Sequence, residues 1–115
     1  RIPVLNDLRG DAWAPTIKHD PPSGAGASGT ASGDERSGTV TLVPGASPKA
    51  GPHCVLNFKR NRRNSRRTVT LEPMNAAGVD AGAYVNAIWD GYFQISFRSP
   101  PTTGTEYKFS YRQID

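Results

Sequence analysis

The chain has 115 residues, a formal net charge of +4 and 36% hydrophobic residues, which gives room for one domain with a real core. Its one cysteine excludes an intrachain disulfide framework, and no apolar run approaches the ~20 residues that a membrane-spanning helix needs. The charge is uneven: six of the 14 Lys+Arg (Lys59, Arg60, Arg62, Arg63, Arg66, Arg67) share one short run, and without them 8 basic residues face 10 acidic ones, a balance of −2.

Residues 1–20 carry scattered apolar anchors, Trp13 and Ile17 among them, interrupted by Pro3, Gly10 and Pro15. No period of two or 3.6 is sustained there, so the segment reads as an extended arm whose tryptophan docks on its own domain or on a neighbouring subunit. The chain opens on Arg1 without a signal-peptide pattern, which leads us to expect a processed product or a C-terminal piece of a longer protein. Residues 21–37 are rich in Gly, Ser, Ala and Thr and read as a flexible linker. Fully extended, residues 1–37 would reach on the order of 100 Å, enough to cross to another subunit. The globular part is then residues 38–115, a size at which oligomerisation is a common remedy for marginal stability.

From Gly38 the period becomes two. Thr39-Val40-Thr41-Leu42-Val43 alternates as a half-buried strand does, and Pro44-Gly45 ends it. Cys54 to Phe58 is a second strand, with Cys54, Leu56 and Phe58 on one face and Cys54 expected as a buried, inert thiol. Thr68 to Leu71 is a third, stopped by Pro73. Residues 74–82 form a loop with one helical turn at Asn75 to Ala77. Ala83 to Trp89 and Tyr92 to Arg98 are strands separated by Asp90-Gly91, a strong hairpin signal because a type I′ turn needs positive φ at both central positions. Phe93, Ile95 and Phe97 share one face of the second arm. After Pro100-Pro101 and Gly104, residues 106–114 make the closing strand, with Tyr107, Phe109 and Tyr111 on one side. These elements predict an all-β fold, an antiparallel β-sandwich of about six to eight strands with an extended N-terminal arm.

The order of these elements resembles a known family. Thr68 to Leu71, Pro73, Asn75 to Ala77, Tyr84-Val85, Gly91, Phe93, Ile95, Gly104-Thr105, Tyr107, Phe109 and Tyr111 are similar to the C-terminal β-sandwich knob of tailed-bacteriophage tail-fibre and tail proteins. The similarity covers the last third to half of the chain, and its most distinctive part is the Pro-x-Asn-Ala-Ala stretch. The resemblance implies a virion structural or adhesion domain at the particle surface, assembled as a homotrimer with other virion proteins and contributing to attachment to the host cell. It brings no catalytic residues and no cofactor, and the basic run lies outside it.

The run Lys59 to Arg67 admits three readings. It is a solvated loop joining two strands, or a contact for an anionic host cell-surface glycan through planar guanidinium groups, or a nucleic-acid contact driven by counterion release. No aromatics interleave it, which disfavours single-strand stacking and with it nucleic acid. Trp89 and Tyr92 flank the Asp-Gly turn and either stack on sugar rings or pair across the hairpin. His19 and His53 lack metal-ligand spacing, His53 reading as a strand-end residue. The Gly24 to Gly29 match to a dinucleotide fingerprint lacks its strand and helix, and Arg9-Gly10-Asp11 reads as a turn. Scattered carboxylates and the lack of a nucleophile elbow give no basis for an enzyme. Besides the virion reading, the residues leave open a carbohydrate-binding module, a capsid-decoration protein and a nucleic-acid-binding accessory protein; no membrane insertion is expected.

Overall fold

In the computed structural model, residues 15–34, 36–58, 68–89 and 91–114 are described. Trp13, Arg9-Gly10-Asp11, the whole basic run from Lys59 to Arg67 and the turn residue Asp90 lie outside them. The described residues form eight strands: β1 (Thr16–His19), β2 (Ser28–Gly33), β3 (Ser37–Val43), β4 (Gly51–Asn57), β5 (Thr68–Pro73), β6 (Ala83–Trp89), β7 (Tyr92–Phe97) and β8 (Tyr107–Ile114). One helix, α1 (Ala76–Ala81), links β5 to β6, and a 3₁₀ turn (Pro21–Ser23) follows β1. The strands make two four-stranded antiparallel sheets, the first in the order β1-β4-β7-β6 and the second in the order β2-β3-β8-β5. β1 runs beside β2 and β5 beside β6, so the sandwich is flanked on both sides. The expected all-β sandwich is what the chain forms.

Alternation explains the core. Leu56, Phe93, Ile95 and Phe97 from the first sheet meet Val40, Leu42, Phe109 and Tyr111 from the second, all at most 2% exposed. Burying a side chain of this size stabilises by about 1.5–3 kcal/mol, so these few positions carry much of the fold. Two tyrosines keep their hydroxyls satisfied at the core margin: Tyr111 donates to the Asp34 carbonyl at 2.7 Å, and Tyr107 accepts from the Thr102 amide at 2.7 Å.

The N-terminal third departs from expectation. Residues 16–19, placed in the arm, form β1 along the free edge of β4, from Thr16↔Asn57 to His19↔Cys54. Residues 28–33, placed in a flexible linker, form β2 along β3, from Ser28↔Val43 to Gly33↔Gly38. Composition misleads here because ladder bonds belong to the backbone, and an edge strand can pair without burying a large side chain of its own. Asp34 closes the β2–β3 turn by accepting from the Arg36 amide at 2.8 Å, and Ser32 and Thr39 share a hydroxyl hydrogen bond of 2.7 Å across the pair. The folded unit thus includes β1 and β2, ahead of Gly38.

α1 is longer than the single turn expected. Asn75 caps it, its Oδ1 accepting from the Gly78 amide at 2.8 Å, while its Nδ2 donates to the Glu106 carbonyl at 3.0 Å. The Pro-x-Asn-Ala-Ala stretch is therefore the joint that fastens β5, α1 and the start of β8 together. Among the described residues no helix is long and apolar enough to cross a membrane.

Candidate functional site

The outer face of the first sheet collects the polar and aromatic side chains that the core rejects. Because β7 alternates, Tyr92, Gln94 and Ser96 point away from Phe93, Ile95 and Phe97. Cross-strand register then sets their neighbours. Trp89 and Asn57 flank Tyr92, Ala87 and Val55 flank Gln94, and Tyr84 and Pro52 flank Ser96. A register shift between Val85 and Ala87 marks a bulge at Asn86 in β6. The bulge presents the Asn86 amide to the same face, where its Nδ2 donates to Gln94 Oε1 at 2.8 Å.

Gln94 is held from both sides, since its Nε2 also donates to Asp20 Oδ2 at 3.1 Å. A polar chain Asn86–Gln94–Asp20 thereby crosses the sheet, joining residues far apart in sequence. Above it, Trp89 and Tyr92 stack with ring centroids 4.8 Å apart and planes inclined at 28°. Of the two readings offered for them, cross-strand pairing is present, and Trp89 keeps 40% of its surface exposed. Gly91 follows the turn's first residue with φ of 81°, a backbone state that glycine adopts at no steric cost. Below the polar chain, Tyr84 is 46% exposed and lines an open groove of about 540 Å³ with Ala50, Gly51, Phe97 and Arg98.

The basic run leaves the described structure at the Trp89–Tyr92 end of this face. The amide of Phe58, the last residue before it, donates to the Gly91 carbonyl at 2.8 Å. The structure thus brings Trp89 and Tyr92 together, and it describes none of Lys59, Arg60, Arg62, Arg63, Arg66 or Arg67. Sequence reasoning passed over Tyr84, Asn86, Gln94 and Arg98. Strand alternation could have put Gln94 beside Tyr92; nothing in the sequence links Asp20 to either.

A second cluster centres on a buried histidine. His53, expected at a strand end, sits inside β4 at 1% exposure, at the bulge between Pro52 and Cys54. Its ring stacks on Phe97 at 4.6 Å and meets His19 of β1 edge-on at 5.9 Å. The two histidines, distant in sequence, are neighbours because β1 pairs with β4. Neither ring nitrogen of His53, nor Nδ1 of His19, has a hydrogen-bond partner among the described residues. Burial, reinforced by His19, pushes His53 down to about 4 from the ordinary 6.5. Burial lowers His19 as well, with Asp20 pulling the other way. Burial raises the Cys54 thiol far above the ordinary thiol range, and Asp20 adds to the effect, so Cys54 is held as an inert thiol.

Among the described residues, no three of His, Cys, Asp and Glu come together as metal ligands. What the outer face offers is recognition chemistry: exposed aromatic rings, preset amides and a groove with one guanidinium. Comparison of the chain with protein-family models, with curated proteins and with solved structures finds no match in any of them.

Proposed function

We propose that the chain is a virion structural and adhesion domain of the tail-fibre or tail-protein kind, acting by attachment to the host cell surface and not by catalysis. The observation that carries this reading is the joint at Asn75. The Pro73-Met74-Asn75-Ala76-Ala77 stretch, the most distinctive part of the resemblance to tail-fibre knobs, is the clamp that ties β5 and α1 to β8. The similar residues therefore act together as the frame of one sandwich, as they would if the resemblance were one of fold.

A trimer fits the distribution of exposed apolar side chains. Met74 (56%), Val79 (62%) and Ile114 (48%) are exposed on or beside β5 and α1, at one margin of the sandwich. Apolar surface concentrated on one side of a small domain favours a subunit contact. In such an assembly several copies present their binding faces together, and avidity compensates for weak single-site contact.

The test has two arms. Light scattering on the purified chain should return three subunit masses, and Val79→Asp should lower that mass. Fluorescently labelled chain should adsorb to cells of a susceptible host. A wild-type mass of one subunit, or no adsorption to any such host, would sink the reading. A free-standing carbohydrate-binding module is the second reading, favoured by the Trp89, Tyr92 and Tyr84 face; a single-subunit mass with intact glycan binding selects it.

A further inference from the structure

We propose that the groove between Tyr84 and Arg98, continued along the outer face of the first sheet to Trp89 and Tyr92, is a binding site for a carboxylated oligosaccharide. The inference rests on the attachment reading above and names the ligand class for that face. The groove, at about 540 Å³, lies within the range of small-ligand sites. Ala50 and Gly51 contribute a wall with almost no side chain, and Phe97 lies behind the groove with its ring turned into the core. Tyr84 offers an exposed ring on which the apolar face of a pyranose stacks, with a hydroxyl at its tip for the sugar's rim. Arg98 offers a planar fork of donors whose geometry matches a carboxylate in bidentate fashion, which selects acidic sugars over neutral ones.

The rest of the face extends the site beyond one ring. Tyr84 is the partner of Ser96, and Trp89 the partner of Tyr92, four residues along β7. Four residues of strand span about 14 Å, so the two aromatic platforms stand well over one sugar ring apart. Between them lie the amides of Asn86 and Gln94. Gln94 is fixed by its bonds to Asn86 and Asp20, so the polar groups are set before a ligand arrives.

Charge decides the sign of the ligand. Lys18 is exposed on the same face, in the row that runs through Val55 to Gln94. Asp20 is engaged with Gln94. Lys18 and Arg98 together outnumber Asp20 among the described residues of this face, a positive excess that suits an acidic chain of sugars.

The experiment sets carboxylated oligosaccharides, uronic-acid and sialylated, against the same compounds after carboxyl reduction, on an array at about 0.15 M salt. The full chain should prefer at least one acidic compound to its reduced counterpart by about tenfold or more. Arg98→Gln should remove that preference, and Tyr84→Ala should weaken acidic and reduced compounds alike. Both side chains are exposed, and circular dichroism should find the two variants folded. Equal retention of acidic and reduced forms, retention of neither, unchanged selectivity in Arg98→Gln, or tighter binding of single-stranded DNA of equal charge would each overturn the site. The attachment reading is judged separately by cell adsorption. Adsorption that survives Arg98→Gln leaves attachment standing and removes this site, whereas acidic-glycan binding without cell adsorption keeps the site and removes attachment.

Discussion

The histidine pair, with His53 buried and His19 partly so, should make the protein acid-labile, and His53→Leu isolates the cause. At neutral pH the His53 ring is uncharged, wedged between Phe97 and His19 with both nitrogens lacking partners among the described residues. Its pKa falls from 6.5 to about 4 on folding, because burial and the neighbouring imidazole both penalise the cation. Each tenfold change in proton affinity is worth about 1.4 kcal/mol, so protonating the folded ring costs about 3 kcal/mol more than protonating the unfolded one. The sign follows from proton counting. Below pH 6.5 the unfolded chain takes up a proton that the folded chain refuses, so stability is full above that value and drains away as the pH falls towards 4. Between pH 7 and pH 5, where most carboxylates stay ionised, the loss from His53 alone is about 2 kcal/mol. Against the 5–15 kcal/mol that holds a typical domain, that is a large share. His19 is lowered too and steepens the same slope.

The assay is urea unfolding followed by tryptophan fluorescence at several values between pH 7 and pH 5. The wild type should lose stability across this window, and His53→Leu should lose markedly less, measured from its own value at pH 7 so that any packing change cancels. If the leucine variant declines as steeply as the wild type, burial of His53 is not the source of the slope and the reasoning is wrong.

Other positions give simpler expectations. Asn75→Ala removes the cap of α1 and the bond to Glu106, and should lower stability by about 1–2 kcal/mol in thermal or urea melts. Phe93→Ala opens the core at a residue with 0% exposure and should cost about 3–5 kcal/mol, enough to leave much of the protein unfolded. Gly38→Ala would drive a Cβ into the Ser32 carbonyl oxygen and put it 2.6 Å from the Tyr111 hydroxyl, so expression of folded protein should drop sharply. Cys54, with its buried and protonated thiol, should react with a thiol reagent only at the rate of unfolding, and any fast labelling of native protein would contradict its placement.

The parts of the fold that could be read from the sequence are those where one rule decides alone. Tyr92 to Phe97 and Tyr107 to Ile114 alternate because one face of each strand is buried, and a slip of one residue would expose Phe93, Ile95 and Phe97 together. Asp90-Gly91 marks the hairpin through a demand on φ that few residue pairs meet. β1 and β2 escaped because β4 and β3 offer them free edges, while their own side chains, Ile17 and Ala31 against the core apart, show too little alternation to mark a strand. A Ser-Gly-Thr-Ala-Ser-Gly segment looks the same in a linker and in an edge strand. The candidate site escaped for a related reason. Trp89 and Tyr92 are close in sequence and announce each other, but Asp20 reaches Gln94 only after β1 has paired with β4 and β4 with β7. His53 meets His19 through the same β1–β4 ladder. One edge strand that composition does not reveal therefore fixes both the polar chain of the outer face and the histidine pair beneath it. It follows that loosening β1 should disturb both at once: conditions that protonate the histidines should also release Asp20 from Gln94 and weaken whatever the outer face binds.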